Sequence, residues 1–446
     1  MLRKVRLGIL IVLGTVVVSL GVARISGAAF PGLPLPPLSD SLAEAAIRGD
    51  TAGAAAMINR RCRLLLGTER RECFEGALLD LTKLGYVRFA LGALDRLGRS
   101  DSQIRKFGHD YSHVIGINAW APGKDIGATY LQCTELFQSG CYHGVIQAVF
   151  AYSGTDSASV AALCSANSEI RESAWLRFQC VHGIGHGLLQ TYTMNLPRAL
   201  HGCDMLSNAW DSESCYGGAF MEFIVGGRGQ SHHVATRPDS AMANGDMDHS
   251  KMDHGEGPRA ATDAADTFPP FMVRDTSDLL YPCSRLAPRY QRACYQMQAG
   301  LIVERTGLDF AKVSQVCDGA PQHMRAVCYQ GIGTYVSGVT ARDSDAAIRL
   351  CNQGSARYRP WCFIGVVKNF VDVTAKAEDG IEFCKRLGPV DIATTCYVAV
   401  GEQAGVLFRA MDRREGVCAQ AQPAYVAACR YGAGLTAERP AALPIG

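Results

Sequence analysis

Two HxxxH pairs, His109 and His113 in HDYSH and His182 and His186 in HGIGH, set imidazoles four residues apart. On a helix that spacing is one face. Neutral imidazole suits zinc, copper and iron, so each pair offers an ion two donors. His143, in CYHG, lies between the pairs, and Asp110, Gln147 and Glu222 are candidates for orienting the rings or adding a carboxylate. Neither pair has the glutamate of HExxH, which removes the base of a zinc protease, and GxSxG, Walker and Rossmann motifs are absent.

A second group of donors is concentrated in MANGDMDHSKMDHGEG, residues 242–257, with Met242, Met247, His249, Met252 and His254; His232 and His233 lie just upstream. Thioether sulfur is a soft donor matched to Cu(I), while imidazole and carboxylate suit Cu(II), so a tract carrying all three can hold copper in either state.

The elements that must position the histidines follow from the cysteines. Eighteen fall into nine close pairs: Cys62/Cys73, Cys133/Cys141, Cys164/Cys180, Cys203/Cys215, Cys283/Cys294, Cys317/Cys328, Cys351/Cys362, Cys384/Cys396 and Cys418/Cys429. Cys294, Cys328, Cys362 and Cys396 are spaced 34 residues apart, the mark of a stacked helical array. Counting 34 from Cys73 reaches Phe107, and 34 more reaches Cys141, so one unit lacks both cysteines of its pair. Loss in pairs is what a bond inside each unit produces. Within one unit, Phe310, Val313 and Val316 recur at helical spacing before Cys317, a turn follows at Asp-Gly-Ala-Pro, and Val327, Cys328, Ile332 and Tyr335 resume the pattern. The expected fold is all-α, a solenoid of about ten αα-hairpin repeats of roughly 34 residues, most with an internal disulfide.

The repeat aligns the histidines. At two and six residues past the cysteine position stand His109 and His113, then His143 and Gln147, then His182 and His186; later units carry Gln296, Gln330, Ile364, Val398 and Tyr431 at the first of these places. Second helices of successive repeats lie side by side at roughly 8 to 10 Å, so five histidines are expected on one patch. A glycine also recurs three residues after the cysteine, in CYHG, CVHG, CYGG, CYQG and CFIG. Its cost to helix propensity, about 1 kcal/mol, is explained by close approach of a neighbouring helix or a ligand, with helix packing favoured because the glycine also occurs in repeats without histidine.

In architecture the array resembles the cysteine-rich Sel1-like repeat proteins of bacteria, which implies exported helical hairpins with one disulfide per repeat over residues 41–436. The cysteine spacing differs and the Leu-Gly-x-x-Tyr signature is missing, so no functional residue carries over. The MDHSKMDH segment resembles the Met/His-rich stretches of periplasmic copper-resistance proteins, which implies copper or silver capture by that tract alone.

Arg3, Lys4 and Arg6 precede an uncharged run from Leu7 to Ala23, then small residues and Pro31, Pro34, Pro36 and Pro37, the pattern of an export signal. The run suits either cleavage after Ala23 or Ala29 or retention as an N-terminal anchor in the inner membrane. Cysteine pairs without CxxC spacing fit an oxidising compartment, periplasmic or extracellular. A formal charge of +2 excludes a nucleic-acid partner recognised by bulk charge, and the membrane enters only through the N-terminal segment. The chain divides into signal or anchor and linker (1–40), early repeats with the histidines (41–226), a Met/His/Asp-rich insertion (227–272), later repeats (273–436) and a tail (437–446). The expected function is exported transition-metal binding, copper favoured, zinc or iron possible, with the histidine patch as structured site and the insertion as collector. The alternatives are a metalloenzyme built on the histidines and a scaffold binding a protein partner on its concave face.

Overall fold

The computed structural model describes residues 38–153, 162–165, 167–226 and 278–443, and these are all-helical, with no strand among them. The N-terminal segment and the Met/His tract lie outside the described residues. No described helix is long and apolar enough to cross a membrane.

The hairpin of residues 310–339 shows how one unit is built. Asp309 caps the first arm, Phe310–Asp318, by accepting from the Lys312 amide at 3.2 Å, and Phe310, Val313 and Cys317 are buried. The second arm, Gln322–Val339, buries Val327, Cys328, Ile332 and Val336, whereas Val316 and Tyr335 are only half-buried. All nine neighbouring cysteine pairs are bonded and no free thiol remains. Such a set of bonds fits an exported chain in an oxidising compartment.

The second arms, numbered in order, are α1 (Gly67–Lys83), α2 (Gly108–Ala119), α3 (Gly140–Ser153), α4 (Ala174–Thr191), α5 (Ala209–Gly226), α6 (Pro288–Met297), α7 (Gln322–Val339), α8 (Arg359–Thr374), α9 (Val390–Leu407) and α10 (Val426–Gly432). Each packs on the next, and α5 meets α6 directly although the 227–277 segment intervenes in the chain. The row also bends back on itself. Helix α4 touches α9, and Trp175 and Gln179 of α4 both donate to Asp372 of α8.

Two units depart from the repeat. Before α2 there is no disulfide; there Arg105 Nε donates to the Gly98 carbonyl at 2.9 Å and Asp101 caps the short helix Ser102–Lys106. Phe107, the cysteine's counterpart, precedes α2 as its N-cap and does not lie within the helix. In the other unit, Cys283 sits in a short 3-10 turn, Cys283–Arg285, and the second arm breaks between Met297 and Ala299. The side chain of Gln298, at the break, donates to the Leu279 and Tyr281 carbonyls at 2.8 Å each and so ties the second arm to the chain just before Cys283.

Candidate metal centre

Glycines bring the histidine-bearing helices together. A Cβ on Gly144 of α3 would stand 2.2 Å from the His113 carbonyl oxygen of α2, and one on Gly218 of α5 would stand 1.9 Å from the His182 carbonyl oxygen of α4. Gly116 and Gly185 meet the carbonyls of Cys141 and Cys215 in the reciprocal direction. Backbone therefore lies on backbone in both pairs, a separation no residue with a side chain permits.

That approach gathers all five histidines. The His143 ring is central: its centroid lies 5.7 Å from His109, 5.3 Å from His113, 4.8 Å from His182 and 5.1 Å from His186. His113 and His186 are 5.0 Å apart, which joins the two HxxxH pairs across α3. Two triads form, His109/His113/His143 and His143/His182/His186, and within each the ligand atoms all lie within 4.8 Å of one another.

Hydrogen bonds set the tautomers. His109 Nδ1 lies 2.7 Å from the Phe137 carbonyl oxygen, so that nitrogen carries the proton and donates it. His113 Nδ1 donates to Gln147 Oε1 at 2.8 Å, and the orientation of that amide is fixed because Gln147 Nε2 donates to Glu222 Oε2 at 3.3 Å. His143 Nε2 donates to Gln179 Oε1 at 3.1 Å, while Gln179 Nε2 donates to Asp372 Oδ1 at 3.1 Å. His186 Nδ1 donates to Glu222 Oε2 at 2.8 Å, and His182 bonds the backbone of Ser214. Every imidazole thus directs an N–H at the protein, which leaves the second nitrogen basic: Nε2 of His109, His113, His182 and His186, and Nδ1 of His143. Of these, His143 Nδ1 and His182 Nε2 are buried with no hydrogen-bond partner.

The nitrogens His109 Nε2 and His113 Nε2 stand 3.0 Å apart. Because both Nδ1 atoms donate to the protein, a proton or a metal ion shared between the two Nε2 atoms is what lets them stand this close. Two nitrogens bound to one tetrahedral ion at 2.0 to 2.1 Å would be about 3.3 Å apart. Ligand histidines whose other nitrogen is held by a carboxylate, amide or carbonyl are the usual arrangement of a metal site.

His113, His143, His182 and His186 are between 0% and 3% exposed, and Gln147, Gln179 and Glu222 are equally enclosed; only His109 is half-buried. Burial, followed by the neighbouring imidazoles, holds His143 and His182 well below the usual histidine range, so both rings are neutral and able to ligate. Burial also pushes the Asp372 carboxyl up to about 6, against the lowering effect of its bonds from Trp175 and Gln179. This cluster can hold a transition metal ion.

Asp110 belongs to neither triad. Met242, Met247, His249, Met252 and His254 lie outside the described residues, as do His232 and His233. Gln179 and Asp372 were not evident from the spacing of the histidines. Gln179 directly precedes Cys180, and that place in the repeat is the one signal it carried; Asp372 reaches the site through the bend of the row, which leaves no local signature. No family model, curated protein or solved structure matches the chain.

Proposed function

We propose that this is an exported metal-binding protein, with the five histidines as its structured site and copper as its ion. The reading rests on one observation: five buried or half-buried imidazoles each hold one nitrogen on a protein partner and together form two triads whose ligand atoms lie within 4.8 Å of one another. Imidazole alone suits copper, zinc and iron. Copper is preferred because the same chain carries Met242, Met247, His249, Met252 and His254, a mixture of soft and borderline donors that collects Cu(I) and Cu(II). The hairpins with their packed second arms form a solenoid of about ten repeats, and the export signal at Leu7–Ala23 delivers it to the periplasm or outside the cell, anchored or released. Elemental analysis of protein purified with its disulfides intact is the test. At least one copper per chain supports the reading; metal-free protein that fails to bind added copper or zinc overturns it.

A second reading has its own support. Either triad supplies three nitrogens, which leaves a tetrahedral ion one position for water or substrate, the composition of a catalytic centre. A metalloenzyme of this kind would lose its activity in His143→Ala, and the metal-stripped unmutated protein would regain activity when metal is added back.

A further inference from the structure

We infer that the five histidines form a two-station relay for a single ion, in which His143 belongs to both stations and passes the ion from an outer triad to an inner one. The inference rests on the metal-binding reading and adds the number of ions and their route.

The argument begins with His143. It is the member common to His109/His113/His143 and His143/His182/His186. An imidazole can bridge two ions only if both nitrogens are available. Here Nε2 is committed to Gln179 Oε1 at 3.1 Å, and Gln179 cannot turn its amide without losing its 3.1 Å bond to Asp372. The remaining nitrogen of His143, Nδ1, is buried with no hydrogen-bond partner, and it is the one nitrogen the ring has left for an ion. It serves one ion at a time. Two ions held together would leave one of them with two histidines and would place two positive charges side by side in a buried space.

The stations differ in access and in charge. The outer triad includes His109, the one half-buried member, so an ion arriving from solvent meets it first. The acceptors on His109 Nδ1 and His113 Nδ1 are neutral, the Phe137 carbonyl and the Gln147 amide. In the inner triad, His186 Nδ1 faces the Glu222 carboxylate at 2.8 Å, and that buried negative charge favours a cation. His143 stands between them, its ring 5.3 Å from His113 and 4.8 Å from His182. Transfer is ligand exchange: the ion keeps His143 Nδ1 while the His109 and His113 nitrogens leave and those of His182 and His186 take their place. No proton or electron moves.

The test uses zinc as the probe on the full chain. Crystals soaked in Zn2+ are measured at the zinc absorption edge, which counts ions in the cluster independently of any bound by residues 242–254. The expected result is one ion, at the inner position or divided between two positions whose occupancies sum to one. In solution, His109→Ala is expected to slow uptake at least tenfold with little change in final affinity, His186→Gln to keep an ion that a chelator removes at least tenfold faster, and His143→Ala to lose binding at least a hundredfold. Two fully occupied positions, or tight binding retained in His143→Ala, overturns the relay and leaves the metal-binding reading standing. An empty cluster removes that reading and the relay with it. The wild-type occupancies decide the matter even if a variant does not fold.

Discussion

Gln179 Oε1 accepts from His143 Nε2 at 3.1 Å, and the other end of the same amide donates to Asp372 at 3.1 Å. A carboxylate on α8 thereby sets which nitrogen of a ring on α3 faces the metal centre. Gln147 does the same between Glu222 and His113. Replacing Gln179 by Leu leaves the His143 tautomer unset and removes one of two donors to Asp372. Loss of such an outer partner weakens metal binding by about 10- to 100-fold. Zinc or copper titration of Gln179→Leu, with helicity checked by circular dichroism, is expected to show that loss in a folded protein; unchanged affinity would show that the amide does not orient the ring.

The glycine contacts lead to a second prediction. Ala at Gly144 or Gly218 would set a methyl group 2.2 Å or 1.9 Å from a backbone oxygen of the neighbouring helix. The helices must separate, at a cost of about 1 to 3 kcal/mol typical of overpacking. Both variants are expected to melt earlier and to bind metal less tightly, because the same separation pulls the histidines apart. Ala at Gly388, around which a Cβ would meet nothing within 4 Å, is the control and is expected to bind metal normally.

What could be read from the sequence is what the chain repeats. The cysteine period located the hairpins and their bonds, and the register carried His109, His113, His143, His182 and His186 to one place, because equivalent positions on stacked helices are neighbours. Long-range geometry was not readable. Trp175 and Asp372 are 197 residues apart in sequence and meet only because small rotations between units accumulate until α4 reaches α8. The 3-10 turn at Cys283 was hidden for a different reason: the cysteine spacing of 11 is kept there although Cys283 itself sits in a 3-10 turn and not in an α-helix.

Acid should destabilise the metal-free protein. His143 and His182 have folded pKa values well below 6.5, so the unfolded chain binds more protons once the pH falls below about 6.5, and stability drops progressively from there. Asp372 acts oppositely. Its carboxyl is raised to about 6 from 3.8, so between those values the folded state binds more protons and stability falls as pH rises. Two histidines oppose one carboxyl, and the expected net result is a lower melting temperature at pH 5 than at pH 7. Asp372→Asn removes the opposing contribution and should steepen the decline. Bound metal competes with protons at the histidines, so loaded protein should resist acid to lower pH. A melting temperature that does not change between pH 7 and 5 would mean that these rings are not buried neutral.

Removing a single disulfide tests how far the hairpins stand alone. Cys133 and Cys141 close the shortest loop, eight residues, and by loop entropy their bond contributes about 2 to 3 kcal/mol. Cys141 lies in the first turn of α3, which carries His143, and its carbonyl is the one that Gly116 meets. The double variant Cys133→Ser/Cys141→Ser is therefore expected to lose both thermal stability and metal affinity. The equivalent change at Cys418 and Cys429, at the far end of the row, should cost stability alone. Equal loss of metal affinity in both would mean that the hairpins unfold as one unit and do not act locally.

Deleting residues 228–268 separates the collector from the structured site. Helix α5, before the deletion, and α6, after it, pack on each other and are tied by Asp204, which accepts from Tyr216 at 2.5 Å and from Tyr290 at 2.7 Å. The flanking bonds Cys203–Cys215 and Cys283–Cys294 are local to their own hairpins. None of these contacts uses the deleted residues, so the melting temperature should change by less than about 2 °C, the smallest shift that about 1 kcal/mol gives in a domain of roughly 150 to 250 residues. In copper titrations the shortened protein is expected to lose the weaker ions held by Met242, Met247, His249, Met252 and His254. The ion held by the histidine cluster should remain, with its affinity unchanged and its uptake slowed if the tract delivers copper to His109. Full copper capacity after the deletion would remove the collector role, and a collapse in stability would assign the segment to the fold.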